Sequence, residues 1–137
     1  MSFTCPILRV QRYGRPCSHV EVPLIVVSAG GEVEHAFRFD TGCDFTTVSE
    51  DVATALGLPA GGTPTSVRGS TGTASGRLVP VTFRFPPDGI SGLPQAAVSS
   101  MWIVTAGQTN VALLSFQEVD ERFYIGTDDI DMYFTRR

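Results

Sequence analysis

The segment from Phe37 to Pro59, FRFDTGCDFTTVSEDVATALGLP, joins an apolar strand, a polar tripeptide and a capped helix in one short run. Val33, His35, Phe37 and Phe39 alternate with Glu34, Ala36 and Arg38, so they share one face of a half-buried strand. That strand runs straight into Asp40-Thr41-Gly42. Further on, Ser49 is a suitable N-cap residue, and Glu50 and Asp51 fall in the first turn, where the helix dipole favours anions. Val52, Ala53, Ala55 and Leu56 continue the helix. Gly57 ends it as a C′ residue, and Pro59 bars extension.

Upstream, Ser18 to Ser28 is rich in β-branched residues and reads as a strand. Ala29-Gly30-Gly31 turns it back into the strand that ends at Asp40. Downstream, Gly61 to Pro64 reads as a loop. Thr65 to Gly69 and Ala74 to Phe85 form a long hairpin whose tip is Ser70-Thr71-Gly72-Thr73. In its second arm Val79, Val81, Phe83 and Phe85 alternate with Leu78, Pro80, Thr82 and Arg84. Pro86 to Gly89 is a turn, Ala96 to Thr105 ends in a strand-like run, and Val111 to Leu114 is apolar. Phe116 to Phe123 reads as a short helix with Phe116, Val119 and Phe123 packed in the core. Tyr124-Ile125-Gly126 and Met132 to Thr135 flank Asp128-Asp129 as a closing hairpin. These elements predict a mainly β fold, a small closed or nearly closed β-barrel with one or two short helices. Residues 1–137 form one domain, with 1–17 an N-terminal extension or strand.

The composition supports this and removes several chemistries. In 137 residues, 42% are hydrophobic and 18% charged, enough for a packed core, and 14 Gly with nine Pro argue against a helical bundle. The ten basic residues are all Arg, which excludes Schiff-base lysine chemistry and the Walker phosphate loop. A net charge of -4 with scattered Arg does not fit a nucleic-acid partner. Cys5, Cys17 and Cys43 are odd in number and lack CxxC spacing, so neither a disulfide framework nor a zinc site is expected. His19 and His35 have no ligand pattern around them. The N-terminus lacks the basic start and apolar run of a signal peptide, and no stretch is long enough for a membrane helix. A soluble protein in a reducing, cytoplasmic setting is the expectation.

The stretch around Asp40-Thr41-Gly42 resembles the active-site segment of retropepsin-like aspartic peptidases, and later elements fit that family in order. SVRGSTGTASGRLVPVTF resembles the flap, VALLSFQEVDERFYI resembles the second apolar strand with its short helix, and the last hairpin fits the closing strands. The resemblance spans about residues 18–135 and implies an acid-protease barrel without metal or organic cofactor. Asp40 would be the catalytic residue, with Thr41 near a two-fold axis and Gly42 letting the backbone approach the carboxylate. Gly69, Ser70, Thr71 and Gly72 would form the flap tip over an extended peptide or protein substrate. Only one Asp-Thr-Gly exists, so the second carboxylate must come from an identical subunit. The implied protein is a homodimeric aspartic endopeptidase.

Three positions depart from the family pattern. Cys43 stands where Ala or Ser is usual, as a small apolar residue or an oxidisable thiol. Ser115 replaces a Gly that allows close backbone packing beneath the site. The flap tip Gly69-Ser70-Thr71-Gly72 is unusually polar. Two other readings stay open on the sequence: a catalytically silent peptide-binding or dimerisation module of the same fold, and an unrelated small β-barrel binding protein. Asp44 reads as a structural loop carboxylate, the Asp128-Asp129-Asp131 cluster as a solvated turn, and Trp102 as facing core or interface.

Overall fold

Tight turns set most of the architecture. The computed structural model describes residues 1–69 and 72–137. Strand β1 (Ser2–Arg12) turns back through Tyr13 and Gly14 into β2 (Arg15–Ser28). Both turn residues have positive φ, 52° and 74°, the backbone that a two-residue hairpin matched to strand twist requires. β2 returns through Ala29-Gly30 into β3 (Gly31–Asp40), with Ser28 opposite Gly31. The first arm starts at Arg15 rather than Ser18 because Arg15 to Val20 pair with β1.

Short β4 (Thr47–Ser49) leads into helix α1 (Glu50–Ala55), which Gly57 ends at φ 73°. The long hairpin is β5 (Thr63–Gly69) and β6 (Gly72–Arg84), paired from Thr63–Leu78 out to Gly69–Gly72. Thr63 and Pro64, expected in a loop, are already in this ladder. The chain enters it at Gly62, where φ is 135° and an added Cβ would lie 2.4 Å from the Leu78 carbonyl oxygen. Arg77 fastens the entry to α1, donating from Nε to Glu50 at 3.0 Å and from Nη1 to the Gly61 carbonyl at 2.6 Å.

β7 (Val98–Thr105), β8 (Ala112–Ser115), helix α2 (Phe116–Asp120), β9 (Phe123–Thr127) and β10 (Asp131–Arg136) complete the chain. The helix is shorter than its apolar spacing predicts, because Phe123 leaves it to pair with Arg136. The described strands run in the order β5-β6-β7-β4-β8-β3-β2-β1-β10-β9, and β2 also pairs with β6 through Ile25–Val27. This second pairing closes a ring from β2 through β3, β8, β4, β7 and β6. The expected mainly β architecture is therefore present, as a ring of strands with β1, β10 and β9 as an extension.

The core follows the alternation in the sequence. Val79, Val81, Phe83 and Phe85 are buried, and their neighbours Leu78, Pro80, Thr82 and Arg84 are more exposed. Phe37 is fully buried, whereas Val33 at the outer end of the same face is exposed. Trp102 lies in the core between Phe37 and Phe83, with ring centroids 5.2 and 5.1 Å away. Under the extension, Phe3 stacks on Phe134 at 4.6 Å and meets Phe123 edge-on at 5.3 Å. Val119 and Phe123 are core residues as expected, but Phe116 is not: it is 39% exposed at the start of α2.

The turn at Asp88 ties β1 to the loop after β6. Its carboxylate accepts the Ser2 N–H and both the N–H and hydroxyl of Ser91. These bonds, the Ser2 amide first, favour the ionised form and hold the pKa at about 2, below the ordinary 3.8. A depressed folded-state value means that the stabilisation is complete above the ordinary value and is lost as pH falls from there through about 2. Asp88→Asn is therefore expected to flatten the loss of stability with acid across that window, leaving the neutral range without such a slope. Urea unfolding at closely spaced pH values, for both proteins, checks it.

Candidate active site

Asp40 is the last residue of β3, and its position comes from two neighbours. β3 pairs in parallel with β8, so Arg38, Phe39 and Asp40 lie opposite Leu113, Leu114 and Ser115. β4 lies on the other side of β8, antiparallel to it. The chain leaves β3 at Asp40, turns through Thr41 and Gly42, and re-enters the sheet at Thr47. Apolar side chains before and after the turn bury, while the polar tripeptide between them stays at the surface with Asp40 half-buried.

Within the turn the Gly42 amide donates to Asp40 Oδ1 at 2.8 Å. A Cβ at Gly42 would stand 3.3 Å from that same oxygen, so glycine permits the amide to reach the carboxylate without crowding it. Thr41 is exposed. Cys43 is half-buried, and burial raises its thiol pKa, with the negative charges of Asp40 and Asp44 adding to the effect against an opposing Thr47 hydrogen bond. A thiol held protonated is a poor nucleophile and a poor target for oxidation, which favours the small apolar role.

A cleft of about 340 Å³ opens above Asp40, with Gly42, Cys43 and Thr47 in its floor and Val67, Arg68 and Gly72 of the β5–β6 hairpin in its roof. A second cavity of about 310 Å³ continues it past Asp44 and Phe45 toward Leu78 and Ile103. Asp40 and Gly42 are thus together on the floor, whereas Thr41 lines a separate recess; Gly69 and Gly72 face one another across the hairpin end. Ser70 and Thr71 lie outside the described residues. Asp44 is exposed on the cavity wall and accepts no hydrogen bond among the described residues. The Asp128 cluster is a turn: Asp128 accepts the Ile130 and Asp131 amides and the Tyr133 hydroxyl.

Ser115, expected to shift the packing beneath the site, has a defined task. Its hydroxyl caps α2 by accepting the Glu118 N–H at 3.1 Å. Ser49 is the N-cap residue of α1 as expected, but its hydroxyl makes no cap bond: it accepts the Val111 N–H at 2.9 Å and so joins α1 to the segment before β8. Nothing along the chain pointed to Glu118, which is 6% exposed and directly behind the Asp40 loop. Glu118 and Arg122 sit at i, i+4, a spacing that ordinarily marks a solvated surface pair.

On the outer face, Phe39 stacks on Phe116 at 6.3 Å. Beside them, an apolar recess of about 250 Å³ is formed by Ile7, Val20, Phe39 and Met132, with Thr41 and His19 at its edge.

A carboxylate at the end of an apolar strand, bonded by the glycine amide two residues on and covered by a long hairpin, is an arrangement of the acid-protease type. A family model for aspartyl proteases matches residues 22–114, which contain both the Asp40 turn and the hairpin. The chain belongs to the aspartyl protease family, and its fold is retropepsin-like. Among solved structures it is similar to a retropepsin-like aspartic protease from Rickettsia conorii, with a TM-score of 0.58 and 16% sequence identity. That match covers 98% of this chain and 91% of the rickettsial one. No functionally curated protein matches the sequence.

Proposed function

We propose that the protein is a homodimeric aspartic endopeptidase in which Asp40 of each of two copies contributes one carboxyl to a shared site. The observation that carries this reading is the single Asp40 carboxylate on the floor of a cleft roofed by the β5–β6 hairpin. One carboxyl cannot both activate water and protonate a carbonyl; two at hydrogen-bonding distance can, because like charges so close retain one proton between them. The ionised Asp40 takes a proton from water as its oxygen attacks the peptide carbon, and the protonated Asp40 gives its proton to the carbonyl oxygen. The tetrahedral intermediate then collapses with cleavage of the C–N bond as the leaving nitrogen is protonated. The hairpin is suited to hold an extended peptide, whose backbone can pair with strand edges.

Support for the second copy comes from the surface around Thr41. The Phe39–Phe116 stack and the adjoining recess expose apolar side chains beside the turn that must lie at the two-fold axis. Among the described residues no carboxylate or Arg lines the recess, so the recess can meet its own copy without repulsion between such charges.

A pH–rate profile tests the reading. The pair is competent only between its two macroscopic ionisations, so kcat/KM on a mixed peptide library is expected to be bell-shaped on the acid side. A hydroxyl-containing mimic of the tetrahedral intermediate should inhibit, and a chelator should not. Activity that rises monotonically into alkaline pH overturns the mechanism. A verified dimer that binds peptides without cutting them would instead be a peptide-binding module.

A further inference from the structure

We infer that Glu118 is a positioning residue for Asp40, acting through a closed hydrogen-bond circuit with Thr46 and Ser115; the inference rests on the peptidase reading above. The circuit has three links. The Glu118 backbone N–H donates to Ser115 Oγ at 3.1 Å. The Ser115 backbone N–H donates to Thr46 Oγ1 at 3.2 Å. The Thr46 hydroxyl lies 3.5 Å from Glu118 Oε1. A backbone N–H can only donate, so Thr46 accepts from Ser115 and its own proton is free to point at the Glu118 carboxylate. All three residues are buried, at 1% for Thr46, 2% for Ser115 and 6% for Glu118.

The Glu118 carboxylate is anchored from outside the circuit as well. Trp102 Nε1 in β7 donates to its Oε1 at 3.0 Å, and Arg122 Nη1 donates to its Oε2 at 3.0 Å. Burying a carboxylate is costly unless it is paired and hydrogen-bonded, and here both oxygens are engaged. The partners fix its orientation, so it is a rigid point of attachment rather than a mobile surface charge.

What the circuit holds is the Asp40 loop. Ser115 is the register partner of Asp40 at the end of the β3–β8 ladder. Thr46 is the last loop residue before β4, with its carbonyl accepting the Ile103 N–H at 2.9 Å. The loop between is exposed at Thr41, Gly42, Asp44 and Phe45, with only Cys43 half-buried. Strand pairing fastens the loop at its beginning, and the Thr46 hydroxyl fastens its far end to the same residue, Ser115. The hydroxyl at position 115 is thus part of the device that holds the carboxylate still. A shared carboxyl site tolerates little play, since reacting groups must be held close to the productive geometry.

The test removes the hydroxyl at Thr46 while keeping its shape. Thr46→Val is expected to lower kcat by about 10- to 100-fold, the cost of a small misplacement of a catalytic group. KM should stay within about twofold, because the chemical step and not uniform binding is affected. Thr46→Ser restores the hydroxyl and should restore kcat. Glu118→Gln removes the charge with little change of shape, and is expected to lower kcat less than Thr46→Val while shifting the emission of Trp102. That residue is the only tryptophan in the chain, so the emission reports the surroundings of Trp102 alone. A readout independent of turnover is the amide resonance of Gly42, whose N–H is bonded to Asp40 Oδ1. It should move in Thr46→Val and return in Thr46→Ser. Unchanged kcat in Thr46→Val, failure of Thr46→Ser to rescue, or a Gly42 resonance indifferent to Thr46 overturns the positioning role. A wild-type dimer without activity whose Gly42 resonance still follows the Thr46 hydroxyl would uphold the circuit and overturn the peptidase reading.

Discussion

Asp40→Asn is expected to take peptide cleavage to background, a fall of at least about 10⁴-fold, since general acid–base catalysis of this kind contributes 10²–10⁴ per group. In a dimer of identical chains the substitution removes both carboxyls at once. The size and shape of the side chain are kept, and the amide carbonyl oxygen of the new side chain can still accept the Gly42 N–H that Asp40 Oδ1 accepts now. Folding should therefore survive. The dimer should be as stable as the parent or more so, because two carboxyls crowded at one axis repel unless they share a proton. Turnover per dimer is measured beside the thermal midpoint and the sedimentation coefficient. An Asp40→Asn protein that retained near-parental turnover would show that the carboxylate on the cleft floor is not the reacting group.

Phe116→Asp is expected to dissociate the dimer. Phe116 is 39% exposed on the face that bears Thr41, and its ring lies on Phe39. Fully burying an aromatic side chain stabilises by about 1.5–3 kcal/mol, and a dimer can bury only the exposed 39% of Phe116, about 0.6–1.2 kcal/mol. A two-fold interface loses it twice, about 1.2–2.4 kcal/mol in all, which raises the dimer dissociation constant by about 10- to 50-fold. The protomer should tolerate the change, because position 116 opens α2, where an acidic residue suits the helix dipole. Sedimentation and activity at matched concentrations read the result: activity should fall more steeply than linearly on dilution, at far higher protein concentrations than in the parent. A Phe116→Asp protein that sediments as an unaltered dimer would place the interface elsewhere. A strictly monomeric protein that still cut peptides through Asp40 would overturn the dimer itself.

What could be read along the chain was whatever depends on neighbours within a few residues. Positive-φ turn residues and glycine caps act locally, so the β2–β3 turn, the end of α1 at Gly57 and the closing hairpin were legible. Alternation in β6 was legible too, because a strand with one buried face writes its burial with a period of two. The Asp40-Thr41-Gly42 turn stood out for the same reason, as polar residues interrupting an apolar strand.

The sequence by itself therefore determined a chain made mostly of strands, the order of its turns, and a lone aspartate at the end of one strand. Tertiary structure alone decided what faces that aspartate. The parallel register of β3 on β8 sets Ser115 opposite Asp40 across 75 positions of chain, and no local pattern encodes it. Residues 2–6 of β1 pair with β10, at the other end of the chain, whereas residues 7–12 pair with the neighbouring β2. Phe116, expected in the core, is at the surface, and the Glu118 carboxylate on the same helix is inside. A helix of five residues has too few turns to define a buried face by periodicity. Its rotation is fixed instead by the Ser115 cap, by the Trp102 N–H that needs an acceptor in the core, and by Arg122, which follows the carboxylate inward.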